Sequence, residues 1–344
     1  MNPYILSLLI SNLALGAIIT AASYHWFLAW IGLELNTLAI MPILAKRHHP
    51  RATEATTKYF IIQATASSII LFSSTINAWH TGTWDITQLT ISPTPTMLTI
   101  ALAMKLGLVP MHFWLPEVMQ GTDMTAAMII ATWQKLPPIS LLYMTVNQLP
   151  TTLLLTLGIL STLIGGWSGL NQTQLRKIMA FSSIGHLGWM AAISTISYKL
   201  LIFTLAAYLL MTASMFLTFI TLTAKTTKDL GTMWTTSPTL STIALITLMT
   251  LGGLPPLTGF LPKWLILQEL TTNHLIPLAT TLALTSLLSL MFYMRLTYVT
   301  TLTTSPNTTT NTMKWRFKPT KPISPIPMAT MMLLLMPITP LIWT

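Results

Sequence analysis

The chain has 344 residues, of which 52% are hydrophobic and only 7% charged, and its formal net charge is +10. A soluble domain carries roughly a quarter charged residues, so a mean hydropathy of +0.67 excludes an ordinary aqueous fold and points to a polytopic membrane protein. With no cysteine, disulfides, thiolate metal sites, iron–sulfur ligation and cysteine nucleophiles are excluded as well.

A bilayer core about 30 Å thick needs about 20 mostly apolar residues per helical span. Taken in chain order, windows of that kind predict helices near 3–22, 25–45, 57–79, 96–119, 123–145, 151–169, 177–197, 199–222, 239–270, 275–298 and 323–342. The first window resembles a secretory h-region, but no Lys or Arg precedes it, so it reads as a span and not a cleaved signal. The connections are short and polar, except for a Thr-rich and then basic loop at 300–322. Alternating the spans puts Lys46, Arg47, Arg51, Lys58, Arg176, Lys177, Lys225, Lys228, Lys314, Arg316, Lys318 and Lys321 on one side, and Lys199 on the other. The basic side is then the cytoplasmic or matrix side, with the N-terminus on it and the C-terminus opposite. The positive charge is a topology signal, and no nucleic-acid partner is implied.

Two segments repeat. Gly107, Pro110, Leu115 and Pro116 in "GLVPMHFWLPEV" match Gly253, Pro256, Leu261 and Pro262 in "GLPPLTGFLPKW", at a constant offset of 146. "YFIIQAT" (59–65) lies over "YLLMTAS" (208–214) at an offset of 149. The pattern predicts one membrane domain over 1–344 holding two five-helix copies, 3–145 and 151–300, with a further C-terminal transmembrane helix at 323–342. Because five is odd, the second copy is inverted, as in secondary transporters with discontinuous helices. Prolines within a span remove backbone hydrogen bonds, and freed carbonyls at membrane depth need protein or water to satisfy them. Both copies therefore break in the fourth helix, and the window at 239–270 is too long for one straight span.

Four charged residues resist any loop assignment: Glu34, Lys105, Lys135 and Lys263. Each costs roughly 2.5–3.5 kcal/mol at a helix centre, so something must offset them. A lysine held between burial, which disfavours its charge, and an anion, which favours it, can exchange a proton near neutral pH. A row of such groups joined by water makes a proton relay. The rival assignments are snorkelling for Lys263 and capping of freed carbonyls for Lys135. His112 and His186 are secondary candidates that could extend a water chain. Arg295 reads as a snorkelling anchor, and Glu54, Glu117, Asp123, Asp229 and Glu269 as solvated or capping groups. No metal-ligand pairing, P-loop, dinucleotide fingerprint or nucleophile elbow appears.

"GLELNTLAIMPIL", "TKYFIIQATAS", "KLGLVPMHFWLPEV", "WQKLPP", "LRKIMAFSSIGHLGWM" and "GGLPPLTGFLPKW" follow one another here. Their content and order resemble the chain 2 family of mitochondrial NADH–ubiquinone oxidoreductase (respiratory complex I), vertebrate type, over essentially the whole chain. The resemblance implies an antiporter-like subunit of the membrane arm in the mitochondrial inner membrane, working as part of an H+-translocating NADH:ubiquinone reductase. It implies proton translocation driven by quinone reduction elsewhere, with NADH, FMN, iron–sulfur clusters and ubiquinone held by other subunits and no cofactor bound here. The implied partners are other membrane-arm subunits, lipid, protons and internal water. It also implies that Glu34 partners Lys105 on the broken helix, that Lys135 is the central relay lysine, and that Lys263 is the exit-side lysine. Relative to bacterial members, three N-terminal helices are expected to be missing. The absence of a targeting peptide and the heavy use of Met and Thr suit synthesis inside the mitochondrion. A free-standing cation/proton antiporter and a purely structural scaffold of the membrane arm are the alternatives.

Overall fold

A computed structural model describes residues 2–46, 48–89, 92–255 and 257–302, together with residue 326. Within these the chain is helical, with only two isolated β-bridges, His25 with Asp85 and Gln174 with Thr226. The helices are α1 (Pro3–Ala22), α2 (Trp26–Leu44), α3 (Pro50–Thr81), α4 (Thr94–Leu106), α5 (Trp114–Gly121), α6 (Met124–Ala131) and α7 (Leu136–Thr145). After them come α8 (Thr151–Gly169), α9 (Leu175–Ser194), α10 (Tyr198–Leu222), α11 (Thr227–Gly231), α12 (Met233–Thr236), α13 (Pro238–Gly252), α14 (Phe260–Thr272) and α15 (Ile276–Leu302). Six of them, α1, α2, α3, α8, α10 and α15, are long and apolar enough to cross a membrane. The predicted span at 323–342 lies outside the described residues, apart from Ile326.

Local chemistry sets the helix starts. The Asn2 side chain accepts from the Tyr4 amide with Pro3 in the first turn, and the His25 and His49 rings accept from the Phe27 and Arg51 amides. The abundant hydroxyls are satisfied within their own helices. Thr20 donates to the Ala17 carbonyl, Ser73 to Ile70 and Thr212 to Tyr208, so they add little polarity to a span. Small residues let α1 and α2 approach closely: a Cβ on Gly16 would lie 2.9 Å from the Gly32 carbonyl oxygen. Such contacts are what helix packing in lipid favours.

The chain forms two compact units. Among the described residues, the first runs over 2–161 and 190–198, and the second over 162–189 and 199–302. In the first, α1 lies along α2, and α3 packs against α2, α4 and α5. In the second, α13 and α14 pack against α15.

The expected breaks in 96–119 and 239–270 are present, between α4 and α5 and between α13 and α14. At about 1.5 Å per residue, α4 and α13 are only about 20 and 22 Å long, too short to span a 30 Å core alone. One predicted continuous span is interrupted: 123–145 is split by a 3₁₀ turn at Trp133–Lys135. Pro137 and Pro138 explain it, since neither has an N–H to bond back to the Trp133 or Gln134 carbonyl, and Leu136 bonds to Trp133 with the tighter 3₁₀ spacing instead. Arg295, expected as a snorkelling anchor, has polar partners of its own. Its guanidinium donates to the carbonyls of Leu170 and Gln172, tying α15 to the loop after α8.

Candidate functional site

The two helix breaks share one construction. At the first, Gly107 adopts φ 77°, ψ 39°, and its amide reaches the carbonyls of Ala103 and Met104 while the Leu108 amide reaches Ala103. At the second, Gly253 adopts φ 77°, ψ 40°, bonding to Met249 and Thr250 while Leu254 reaches Met249. This is the Schellman arrangement, which needs a left-handed residue and therefore favours glycine. It leaves the carbonyls of Leu106 and Gly252 pointing beyond the helix ends.

Both carbonyls are met by a lysine. The Lys135 ammonium donates to Leu106 O at 2.6 Å, and the Lys263 ammonium donates to Gly252 O at 3.0 Å. A helix C-terminus carries partial negative charge, so a cation there is stabilised. The positions 106 and 252 are related by the repeat offset of 146, but the lysines come from different elements. Lys135 sits in the 3₁₀ turn before α7, and Lys263 in the first turn of α14.

In the first unit, Lys135 is 1% exposed and Lys105 4%. Lys105 Nζ donates to the Gln63 carbonyl at 3.4 Å. Glu34, on α2, has its Oε2 buried without a hydrogen-bond partner. Among the described residues, no hydrogen bond or ion pair joins Glu34 to Lys105, its expected partner. Beside it, Asn36 and Gln134 exchange two amide hydrogen bonds, of 3.0 and 3.1 Å, and the Tyr59 hydroxyl donates to Gln134 Oε1 at 3.4 Å. Trp114 donates from its indole Nε1 to Met104 O at 3.1 Å, and its ring lies 5.6 Å from Lys135 Nζ. His112, in the link between α4 and α5, is buried with its Nδ1 unpartnered.

In the second unit, Lys263 and His186 line a cavity of about 10 Å³ together with Thr162, Ser182, Ser286 and Tyr293. That volume holds about one water molecule, and the lining supplies polar partners for it. The Tyr293 hydroxyl lies beside Ser182 without a hydrogen bond of good geometry. His186 packs against Tyr208 with ring centroids 5.5 Å apart, and Tyr208 is hydrogen-bonded to Ser183. In the sequence, an offset of 149 takes Tyr59 to Tyr208 and Glu34 to Ser183.

Sequence reasoning missed Asn36, Tyr59, Gln63, Trp114 and Gln134. Being uncharged, they stand out from an apolar run less than a lysine does. The quoted repeats did contain Tyr59, Gln63 and Trp114, and a buried amide inside a span was the available signal. Among the groups assigned to interfaces, Lys58 contacts both Glu54 (2.6 Å) and Glu117 (2.7 Å) at the exposed end of α3. Asp229 completes a capping box with Thr226.

Residues 23–289 match the family model described as NADH:quinone oxidoreductase/Mrp antiporter, TM, and residues 290–343 match NADH dehydrogenase subunit 2 C-terminus. The chain is 55% identical to NADH-ubiquinone oxidoreductase chain 2 of Tetraodon nigroviridis, across 100% of this chain and 99% of the relative. It is 54% identical to that of Varanus melinus, across 99% of each. Its fold superposes on a chain of respiratory complex I from Thermus thermophilus with bound aureothin with a TM-score of 0.88 at 25% identity, covering 99% of this chain and 80% of that one. A chain of the Mrp complex from Dietzia sp. DQ12-45-1b shares the fold, with a TM-score of 0.80 at 19% identity, over 87% of this chain and 61% of that one. On this match the chain belongs to the NADH-ubiquinone oxidoreductase chain 2 family.

Proposed function

We propose that the protein is a membrane-arm subunit of the proton-translocating NADH:ubiquinone oxidoreductase of the mitochondrial inner membrane, and that Glu34, Lys105, Lys135 and Lys263 carry the protons. Quinone reduction elsewhere in the complex supplies the energy, and NADH, FMN, iron–sulfur clusters and ubiquinone are held by other subunits. The observation that carries this reading is the pair of deeply buried ammonium groups in the first unit, each with a single carbonyl acceptor. An ammonium has three donors, so each of these lysines keeps two through which a proton can be passed on.

The chemistry runs as follows. The Glu34 carboxylate favours the charged form of Lys105 through its field. When that field is withdrawn, burial disfavours the charge and the proton leaves. Lys135 can hold it, because the Leu106 carbonyl at the helix end stabilises the cation. In the second unit, the Gly252 carbonyl does the same for Lys263, and the hydroxyl-lined cavity has room for a water between Lys263 and His186. His112 and His186 are the secondary proton carriers. The partners are the other membrane-arm subunits and the surrounding lipid.

The finer architecture is part of the same proposal: inverted five-helix repeats at 3–145 and 151–300, and a C-terminal span at 323–342. The matching glycine caps at 107 and 253 support it, as do the paired bridges, His25–Asp85 and Gln174–Thr226, each joining the two ends of a helical hairpin. The basic loops and the N-terminus then face the matrix, and the C-terminus the intermembrane space.

Proton-to-electron stoichiometry in a complex carrying Lys105→Ala is the test. Fewer protons per electron, with assembly intact, is the expected result; an unchanged stoichiometry would sink the relay.

A further inference from the structure

The geometry points to Trp114 as the positioning residue for Lys135: the face of its indole ring holds the lysine's ammonium at membrane depth. This rests on the relay reading of Lys135. The ammonium has three donors and one hydrogen bond, to Leu106 O, in a setting 1% exposed. Trp114 places its ring 5.6 Å from Nζ, within the range at which an aromatic face attracts a cation, and tryptophan is the best of the aromatic residues for this. Low surrounding polarity strengthens that attraction.

Trp114 is fixed on three sides. Its Nε1 donates to Met104 O, a carbonyl of the same helix end whose last carbonyl receives Lys135. Its ring meets Tyr59 edge-on at 5.8 Å. Its backbone opens α5, the half-helix after the break. One side chain thus ties the end of α4, the start of α5 and the lysine together, so a shift of either half-helix changes how well the ammonium is held.

The experiment replaces Trp114 in the assembled complex by Phe, which keeps a ring face but loses the N–H. In parallel it is replaced by Met or Leu, which fill space without a ring face. The readouts are protons pumped per electron and the amount of assembled complex on a native gel, with Lys135→Met as reference. Trp114→Phe is expected to pump near the wild-type stoichiometry, and the aliphatic variants to lose as many protons per electron as Lys135→Met does. Wild-type pumping by an aliphatic variant overturns the proposal. So does a Phe variant no better than the aliphatic ones, which would move the role to the indole N–H. If neither aliphatic variant assembles, Trp114→Phe is set against Lys135→Met: stoichiometry near wild type is the expected result, and a loss as large as that of Lys135→Met overturns the proposal. Full stoichiometry in Lys135→Met would overturn the relay reading itself, and this proposal with it. Loss in Lys135→Met with no loss in the Trp114 variants overturns only the role of Trp114.

Discussion

Leu106 and Gly252 each end a half-helix on a carbonyl that the Schellman turn cannot satisfy, and each receives a lysine. The glycines that follow differ in what surrounds them. A Cβ at Gly107 would meet only ordinary contacts, the nearest at 3.5 Å, while one at Gly253 would come within 2.9 Å of Lys263 Nζ. Both replacements by alanine carry the left-handed strain of roughly 1–2 kcal/mol. Gly107→Ala is therefore expected to lower the stability of the assembled complex without changing protons per electron, whereas Gly253→Ala also lowers pumping by displacing the ammonium. Comparing stoichiometry with thermal stability in the two variants checks this; equal pumping defects would refute it. The charges were legible in the sequence because four ionisable side chains stand out in such an apolar chain. Their acceptors were not, because a backbone carbonyl has no letter of its own.

The elements follow their punctuation. Pro110 and Pro116 marked the first break, and the overlong window at 239–270 marked the second. The 3₁₀ interruption at Trp133–Lys135 was harder to read, since a proline pair is tolerated at a helix start and the window kept its length. The hairpin loop before α11 shows an element fixed by one carboxylate. Asp229 Oδ2 accepts from the amides of Lys225 and Thr226, both at 2.8 Å. Partial burial pushes its carboxyl up, but these two amides, with the Thr226 hydroxyl and Lys225, outweigh that and hold it below the ordinary carboxylate range. A group depressed in the folded state adds stability above its unfolded value, and that contribution is lost as pH falls through the folded one. At neutral pH the cap is complete. Asp229→Ala is expected to weaken the loop by about 1 kcal/mol, seen as faster hydrogen exchange of the Lys225 and Thr226 amides. Asp229→Asn, which keeps an acceptor, should fall between. No change in exchange on either substitution would count against the cap.

At the scale of the whole molecule, the proposed orientation has a direct check that the composition makes available. The chain has no cysteine, so one introduced at the exposed Lys225 reports a single site. A membrane-impermeant thiol reagent is expected to label it in inverted vesicles, where the matrix side faces out, and not in mitoplasts; labelling in mitoplasts only would reverse the orientation. The sequence by itself determined that this is a helical membrane protein, where two of its helices break, and which four ionisable side chains fall within its apolar runs. It could do so because hydropathy, proline chemistry and the cost of burying charge act locally along the chain. Family membership was legible in the same motifs, whose order the chain preserves. The tertiary structure decided which groups meet: Lys135 with the carbonyl of Leu106 and the ring of Trp114, Lys263 with Gly252, Asn36 with Gln134, and His186 with Lys263 around one small cavity. Apart from Lys263 and Gly252, which are 11 positions apart, those pairings join residues more than 20 positions apart, most of them on different helices. No period or spacing encodes the rotation of one helix against another, and only the packed fold sets it.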